Sequence, residues 1–390
     1  MYSEIHQFEP TLPSDRLWTE LYPIAEKIVI DSTRLTEKAH ATTRSVIREL
    51  VRQMNSYYSN RIEGQSTHPL NIADALKRHF SHRPDEARLQ RIALAHIGAE
   101  QALEQALGDH SPLSSGFLIG AHREMYQRLA PEDRLSDDGL EIMPGQLRNK
   151  EVKVGEHVAP TAESIPRFLS RMNQQYEPIR GETQTLIIAA CAHHRGAWVH
   201  PFLDGNGRAL RLQSHCALWK LSEGLWSPSR GFARDTSKYY EALNAADRMR
   251  EGDYDGRGNL SQQGFSTWIL YFLSICQDQV SYMSKMLDLD GVRKRIEALI
   301  IMRSLNNKDY RTEAILPLMH VFALGPVTRG DFSQMTGLGE RTARTLIAKL
   351  LEDGLLLSDH RVGPVRMGLP LDALNVLFPA LYPEVNQPLI

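Results

Sequence analysis

His200-Pro201-Phe202-Leu203-Asp204-Gly205-Asn206-Gly207-Arg208-Ala209-Leu210-Arg211 lies where one strongly apolar segment ends and a second helical segment begins. Two glycines flanking an asparagine let backbone amides turn toward a common point. A helix starting at Asn206 or Gly207 adds free N–H groups and the positive end of its dipole. That combination is a cradle for phosphate. Arg208 and Arg211 are three apart, so they share a helix face and can both reach phosphate oxygens above the helix start. Asp204, at the rim, can hold the Mg2+ that neutralises a polyphosphate. His200 ends the preceding element, and an imidazole with an unperturbed pKa of about 6.5 is suited to take a proton from an attacking hydroxyl. The competing reading is a core histidine beside a structural ion-pair network. It leaves unexplained two glycines and an asparagine, poor helix formers with no packing purpose.

Working upstream, Thr185-Leu186-Ile187-Ile188-Ala189-Ala190-Cys191-Ala192 is apolar on every side, which predicts a buried central helix ending at the cradle. Helical patterning covers 164–173, 183–199, 207–221, 238–250 and 262–286. The alternating run 152–158, split by Gly155 and preceded by Pro144-Gly145, predicts a short hairpin, the one strand signal before residue 290. From Leu17 to about Leu107, helix formers carry apolar residues at helical spacing (Ile47, Leu50, Val51, Met54), broken by Gly64 and Pro69. After Asp288 the composition changes. A connecting helix over 292–305 is followed by helices over 314–322, 329–335 and 340–352, then strands over 354–358 and 361–367. Helix, turn, helix and wing resemble a winged-helix module. The chain is therefore expected to be mainly α, in three parts: a helical region 1–114, a core 115–287, and a connecting helix with winged-helix domain 288–390.

Composition narrows the function classes. The 390 residues carry 45 Lys+Arg against 47 Asp+Glu, with 42% hydrophobic and 24% charged residues, as in an ordinary globular protein of two or three domains. A formal charge of -2 argues against a protein that coats nucleic acid by neutralising phosphates. Cys191, Cys216 and Cys276 form no close pair, so neither a disulfide framework nor a zinc knuckle is expected, and a reducing compartment fits best. The opening residues lack a leader pattern and the apolar run 268–276 is too short to span a bilayer, so the expected location is cytoplasmic, with no membrane contact. His193, His194 and His200 do not read as a metal set, because adjacent histidines on a helix point about 100° apart. His194 is expected to be a buried packing residue.

The segment from His200 matches every specified position of the Fic motif, His-x-Phe-x-Asp/Glu-Gly-Asn-Gly-Arg-x-x-Arg, and so resembles the Fic (Fido) family. The similarity extends to the buried helix with His194, to Gly145-x-x-Arg148 leading into the hairpin, and to Tyr239-Tyr240-x-x-Leu243. It implies a helical core with a β-hairpin flap and an enzyme that transfers AMP from ATP to a Ser, Thr or Tyr hydroxyl of a target protein. In that reading His200 is the general base, Phe202 fixes the loop, and Asp204 holds Mg2+. Gly205, Asn206 and Gly207 form the anion hole, Arg208 and Arg211 bind the outer phosphates, and Ala209, Leu210 and Tyr240 complete the nucleotide-binding set. Val152 and Val154 are candidates for the flap edge that docks the target by strand addition.

Ser59-Asn60-Arg61-Ile62-Glu63-Gly64 resembles the family's inhibitory motif, placed ahead of the core. Ser59 and Glu63 share a helix face, and Gly64 is the residue type expected where a helix stops. Docked on the cradle, Glu63 would pair with Arg211 and leave ATP in an unproductive pose. Two competing functions stand beside this one. The first is removal of AMP from a modified target through Glu63 and His200; the second is a nucleotide-sensing, DNA-binding regulator. Between 312 and 370, six basic residues face six acidic ones, which favours dimerisation or target docking over DNA reading by the winged helix. Implied partners are ATP and a hydroxyl-bearing target, with self-modification and a homodimer left open.

Overall fold

Helix α7, Glu182–Val199, is buried at every position from Leu186 to Gly196, as expected for a helix apolar on all sides. The computed structural model that shows this describes residues 2–108, 111–136 and 138–382. The chain opens with α1 (Asp15–Thr36), α2 (Ala41–Ile62), α3 (Pro69–Leu76) and α4 (Pro84–Gln105). Then follow α5 (Ser115–Tyr126), α6 (Ile165–Tyr176), α7, α8 (Asn206–Ala217), α9 (Trp219–Ser222), α10 (Ser229–Arg234), α11 (Thr236–Asp247) and α12 (Gln262–Met286). The fold is mainly α.

Around α7 pack α1, α6, α8 and α12. Ser14 caps α1 by accepting the Leu17 N–H. The buried stripe Leu17, Leu21, Ala25, Ile28, Ser32 and Leu35 of α1 steps by three and four residues, and α1 packs on α7 and α12. α7 and α8 approach closely because Gly196 has no side chain: a Cβ there would collide with Leu210. Apolar residues fill one large cluster centred on α7 and α12. A second, Leu118, Met125, Tyr126, Phe202 and Leu210 among its members, lies under the 200–211 loop.

The hairpin is present but shorter than the alternating run. β1 (Lys153–Val154) pairs antiparallel with β2 (His157–Val158), in the register Lys153 with Val158 and Val154 with His157, and Gly155 turns at φ +60°. Val152 lies outside the strand and is half-buried, tied by its carbonyl to the Ala159 N–H at 3.3 Å. Two isolated bridges, Leu135 to Glu141 and Met249 to Leu260, add strand pairing before residue 290 beyond the one hairpin expected. Both are single-residue pairings across loops, with no alternation to reveal them.

Beyond α13 (Leu289–Asn306) come α14 (Ile315–Leu324), α15 (Arg329–Thr336), α16 (Glu340–Glu352) and an antiparallel pair, β3 (Leu356–Leu357) with β4 (Arg366–Met367), then α17 (Leu374–Leu377). This unit lies against α2: the Thr43 hydroxyl donates to the Phe322 carbonyl at 2.8 Å, and the Tyr58 hydroxyl donates to the Leu381 carbonyl at 2.6 Å. Among the described residues, no helix is long and apolar enough to cross a membrane.

Candidate active site

At the end of α7 the chain turns left-handed at His200, φ +49°, a conformation that only surrounding structure can hold in a non-glycine residue. Two bonds from Arg148 hold it: the Arg148 backbone N–H donates to the Pro201 carbonyl at 2.9 Å, and its Nε donates to the His200 carbonyl at 2.8 Å. The loop then closes on itself through Asn206. Its Oδ1 accepts the Phe202 N–H and its Nδ2 donates to the Phe202 carbonyl, both at 2.9 Å. The Asn206 side chain is therefore spent on the loop, and what it leaves for a ligand is its backbone amide at the first turn of α8.

Gly205 caps α8 at φ +76°, and a Cβ there would collide with Tyr126, so both conformation and space demand glycine. The Asp204 side chain sits at the rim, 35% exposed, with Oδ2 3.7 Å from Arg208 and Oδ1 accepting the Gly205 N–H. A carboxylate in this position, only loosely paired and at the mouth of the cradle, fits a divalent cation. Burial pushes the His200 imidazole down to about 4, and the nearby Arg148 charge adds to the shift, so the ring is neutral at pH 7 and can accept a proton.

Both arginines are buried and hold protein partners. Arg211 donates from Nε to the Ser59 hydroxyl at 2.9 Å, and from Nη2 to the Ser59 carbonyl at 3.1 Å and to Glu63 Oε1 at 2.5 Å. Burial alone would raise the Glu63 carboxyl, but Arg211 and Arg208 outweigh it and hold Glu63 below its usual value, ionised at neutral pH. α2 ends where this contact needs it to end: Gly64 turns at φ +72°, and Gly207 opposite has no Cβ to keep the Glu63 carboxylate away. Arg208 diverges, donating from Nη1 to Gln65 Oε1 at 2.8 Å and from Nη2 to the Tyr126 hydroxyl at 2.7 Å.

Residues 112–218 match the family model described as Fic/DOC. This stretch is similar to the Fic/DOC family. A protein adenylyltransferase Fic of Nematostella vectensis is 26% identical over 191 residues, covering 49% of this chain and 42% of that protein. One of the same name from Drosophila willistoni is 34% identical over 168 residues, covering 42% of this chain and 28% of its own length. The chain thus spans less than half of each. The crystal structure of a Fic family protein from Desulfovibrio desulfuricans shares the fold, with a TM-score of 0.51 at 17% identity over 88% of this chain and 96% of that one.

Around the 200–211 loop the expected residues do not all meet. Ala209 and Leu210 are buried, and both belong to the apolar cluster under the loop, so their side chains do not face the cradle. At about 100° and 200° round the helix from Arg208, they point away from the face that Arg208 and Arg211 share. Tyr240 is 43% exposed and donates to the Ile62 carbonyl at 3.4 Å, beside the end of α2. On the flap, Val154 is exposed and Val152 is only half-exposed.

His194 is not merely a packing residue. Its Nε2 lies 3.1 Å from Asp247 and 3.0 Å from the Leu243 carbonyl, which ties α7 to α11. Asp247, more than fifty residues away in sequence, could not be paired with it by spacing. The Gly145-x-x-Arg148 pattern leaves the role of Arg148 open. It also donates to the carbonyls of Lys150 at 2.7 Å and Pro160 at 2.6 Å, so one side chain anchors both ends of the flap to the catalytic loop. The His157 ring meets the Trp198 carbonyl at 2.8 Å and fixes β2 to the end of α7.

Behind α8, a buried polar knot joins three helices. His215 Nε2 lies 3.0 Å from Glu104, Arg52 pairs with Glu104 at 2.6 Å, and Asn55 donates to Glu100 at 2.9 Å. It clamps α2, which carries Glu63, to α4 and α8. Burial raises the Glu100 carboxyl to about 7, with the His215 ring 3.5 Å away.

Proposed function

We propose that this chain is a protein adenylyltransferase that moves AMP from ATP to a Ser, Thr or Tyr hydroxyl of a target protein, and that Glu63 restrains it. The observation that carries this reading is the convergence, at the start of α8, of a neutral imidazole, a rim carboxylate, a left-handed glycine turn and two arginines, one of them already held by a carboxylate. The names of the anemone and fruit-fly relatives support the same reaction class.

In the proposed reaction the target oxygen attacks the α-phosphorus, a P–O bond to AMP forms, and the bond to pyrophosphate breaks. His200 takes the hydroxyl proton. The first backbone amides of α8 face the phosphates, and Arg211 orients the outer ones once Glu63 has left. Asp204 would hold Mg2+, which supplies neutralisation of the polyphosphate charge. The exposed edge at Val154 supports docking of an extended target segment by main-chain pairing. The three-part division at 114 and 287, and a winged-helix reading of α14–α16 with β3–β4, belong to the same proposal. Arg341 and Arg344 are exposed on α16, and Arg344 pairs with Glu340 at 2.5 Å.

The test is mass spectrometry of the Glu63→Gly protein with Mg2+ and each nucleoside triphosphate. The expected outcome is an AMP-sized adduct on the enzyme or a co-purified target, at least about tenfold above the unmodified chain, since a charge-assisted contact of about 1.5–3 kcal/mol is removed from Arg211. The adduct disappears in Glu63→Gly with His200→Ala. Equal labelling with and without Glu63 would remove the inhibitory role, and labelling that survives loss of His200 would remove the chemistry.

A further inference from the structure

α5 reaches the catalytic loop through a residue that the transfer reaction has not used. His122 is fully buried. Its ring is sandwiched between Phe202, at 3.9 Å between centroids and 15° between planes, and Tyr126, at 4.5 Å and 28°. Nδ1 lies 2.9 Å from the backbone nitrogen of Gly145, a group that can only donate. An accepting Nδ1 in a neutral ring puts the proton on Nε2, which lies 3.1 Å from the carbonyl oxygen of Asp204 and donates to it.

The two partners are not equivalent. Asp204 carries the rim carboxylate, while Gly145, at φ +75°, begins the segment that Arg148 anchors and that continues into the flap. No other common side chain offers both an acceptor and a donor across a rigid ring. Tyr126, stacked on the other face of His122, accepts from Arg208 at 2.7 Å, so the same helix turn also steadies an arginine of the cradle.

We propose that His122 is the positioning residue of the site: through its two ring nitrogens it sets the separation between the Asp204 carboxylate and the root of the flap. The proposal rests on reading Asp204 as the metal-holding residue of the transferase. It assigns His122 an outer-shell role, acting on the cation through Asp204 rather than touching substrate, and such partners typically change metal affinity by about 10–100-fold.

The experiment uses the full chain with Glu63→Gly and three further variants. His122→Phe keeps the stacked ring and loses both bonds. His122→Gln keeps a donor for Asp204, and His122→Asn keeps an acceptor for Gly145. Calorimetry with a non-hydrolysable ATP analogue, with and without Mn2+, separates nucleotide from metal binding. His122→Phe is expected to weaken the Mn2+-dependent part about tenfold while metal-free nucleotide affinity is unchanged, with His122→Gln restoring most of it and His122→Asn little. Parent-like Mn2+ dependence in His122→Phe overturns the proposal, as does a Gln variant no better than Asn. If His122→Phe does not fold, the Gln and Asn comparison carries the test. Should Glu63→Gly transfer no nucleotide, the transferase reading fails, while the metal-binding comparison still judges His122.

Discussion

His200 is held in a left-handed turn with an imidazole pushed down to about 4, and this makes its protonation state a consequence of burial rather than of solution pH. The sign follows directly: a depressed value keeps the base form populated until pH falls toward 4, whereas a free imidazole would already be half protonated near about 6.5. For Glu63→Gly, kcat/KM, which reports the free enzyme, is therefore expected to stay level from pH 8 down to about 5 as far as His200 is concerned. Removing Glu63 takes away a charge that favours the protonated ring, so the variant moves further in the same direction. A pH–rate profile with an acid limb centred near 6.5 would contradict this account of the pocket. At this scale the sequence was informative: residue types at 200–211 dictated the turn, the helix start and the glycine positions, because all of these are local backbone effects. The direction of the Asn206 side chain was not legible, since its amide serves equally well in a ligand bond or in closing its own loop.

Between elements, the decisive contact is the close approach of α7 and α8 at Gly196, where Leu210 occupies the place of a side chain. These helices carry His200 at the end of one and Arg211 on the other, so their separation sets the distance across the cradle. Gly196→Ala is expected to cost about 1–3 kcal/mol, the range for overpacking a tight core, and to lower the activity of Glu63→Gly by more than the loss of folded protein explains. Urea unfolding at equilibrium and turnover per folded molecule measure the two effects. An unchanged unfolding midpoint would show that the helices can part freely. The helix boundaries themselves were largely readable, with α16 at Glu340–Glu352 and α12 at Gln262–Met286 falling where periodicity and turn residues put them. The strands were not, because β3 and β4 are two residues each, too short for alternation to register their ends.

Across the whole molecule, α2 is gripped from both sides. Its second half, from Asn55 to Asn60, is buried throughout, with α8 and α10 on one side and the C-terminal unit on the other. Tyr382 packs edge-on to Tyr57 at 5.3 Å and parallel to Tyr58 at 6.4 Å, the two residues directly before Ser59 on the helix that leads to Glu63. The chain's last described residues thus press on the helix that holds Arg211. Tyr382→Ala is expected to destabilise the protein by about 3 kcal/mol, as for other buried aromatic truncations, and to raise basal nucleotide transfer with Glu63 still in place, by less than Glu63→Gly does. Transfer assays on Tyr382→Ala alone check it. Activity unchanged despite the lost stability would separate the C-terminal unit from control of Glu63.

The order of residues alone determined the helical class, the cradle at 200–211 and the facing of Ser59 with Glu63, because helix periodicity, helix starts and glycine turns are set by neighbours within a few positions. The pairing of Glu63 with Arg211 across more than 140 residues of chain was expected only through the resemblance to the Fic family, and tertiary structure alone decided that Ser59 also meets Arg211, that His122 stands between Gly145 and Asp204, and that Tyr382 closes on α2. Those pairings depend on which groups lose water together when helices pack, and spacing along the chain carries no record of that.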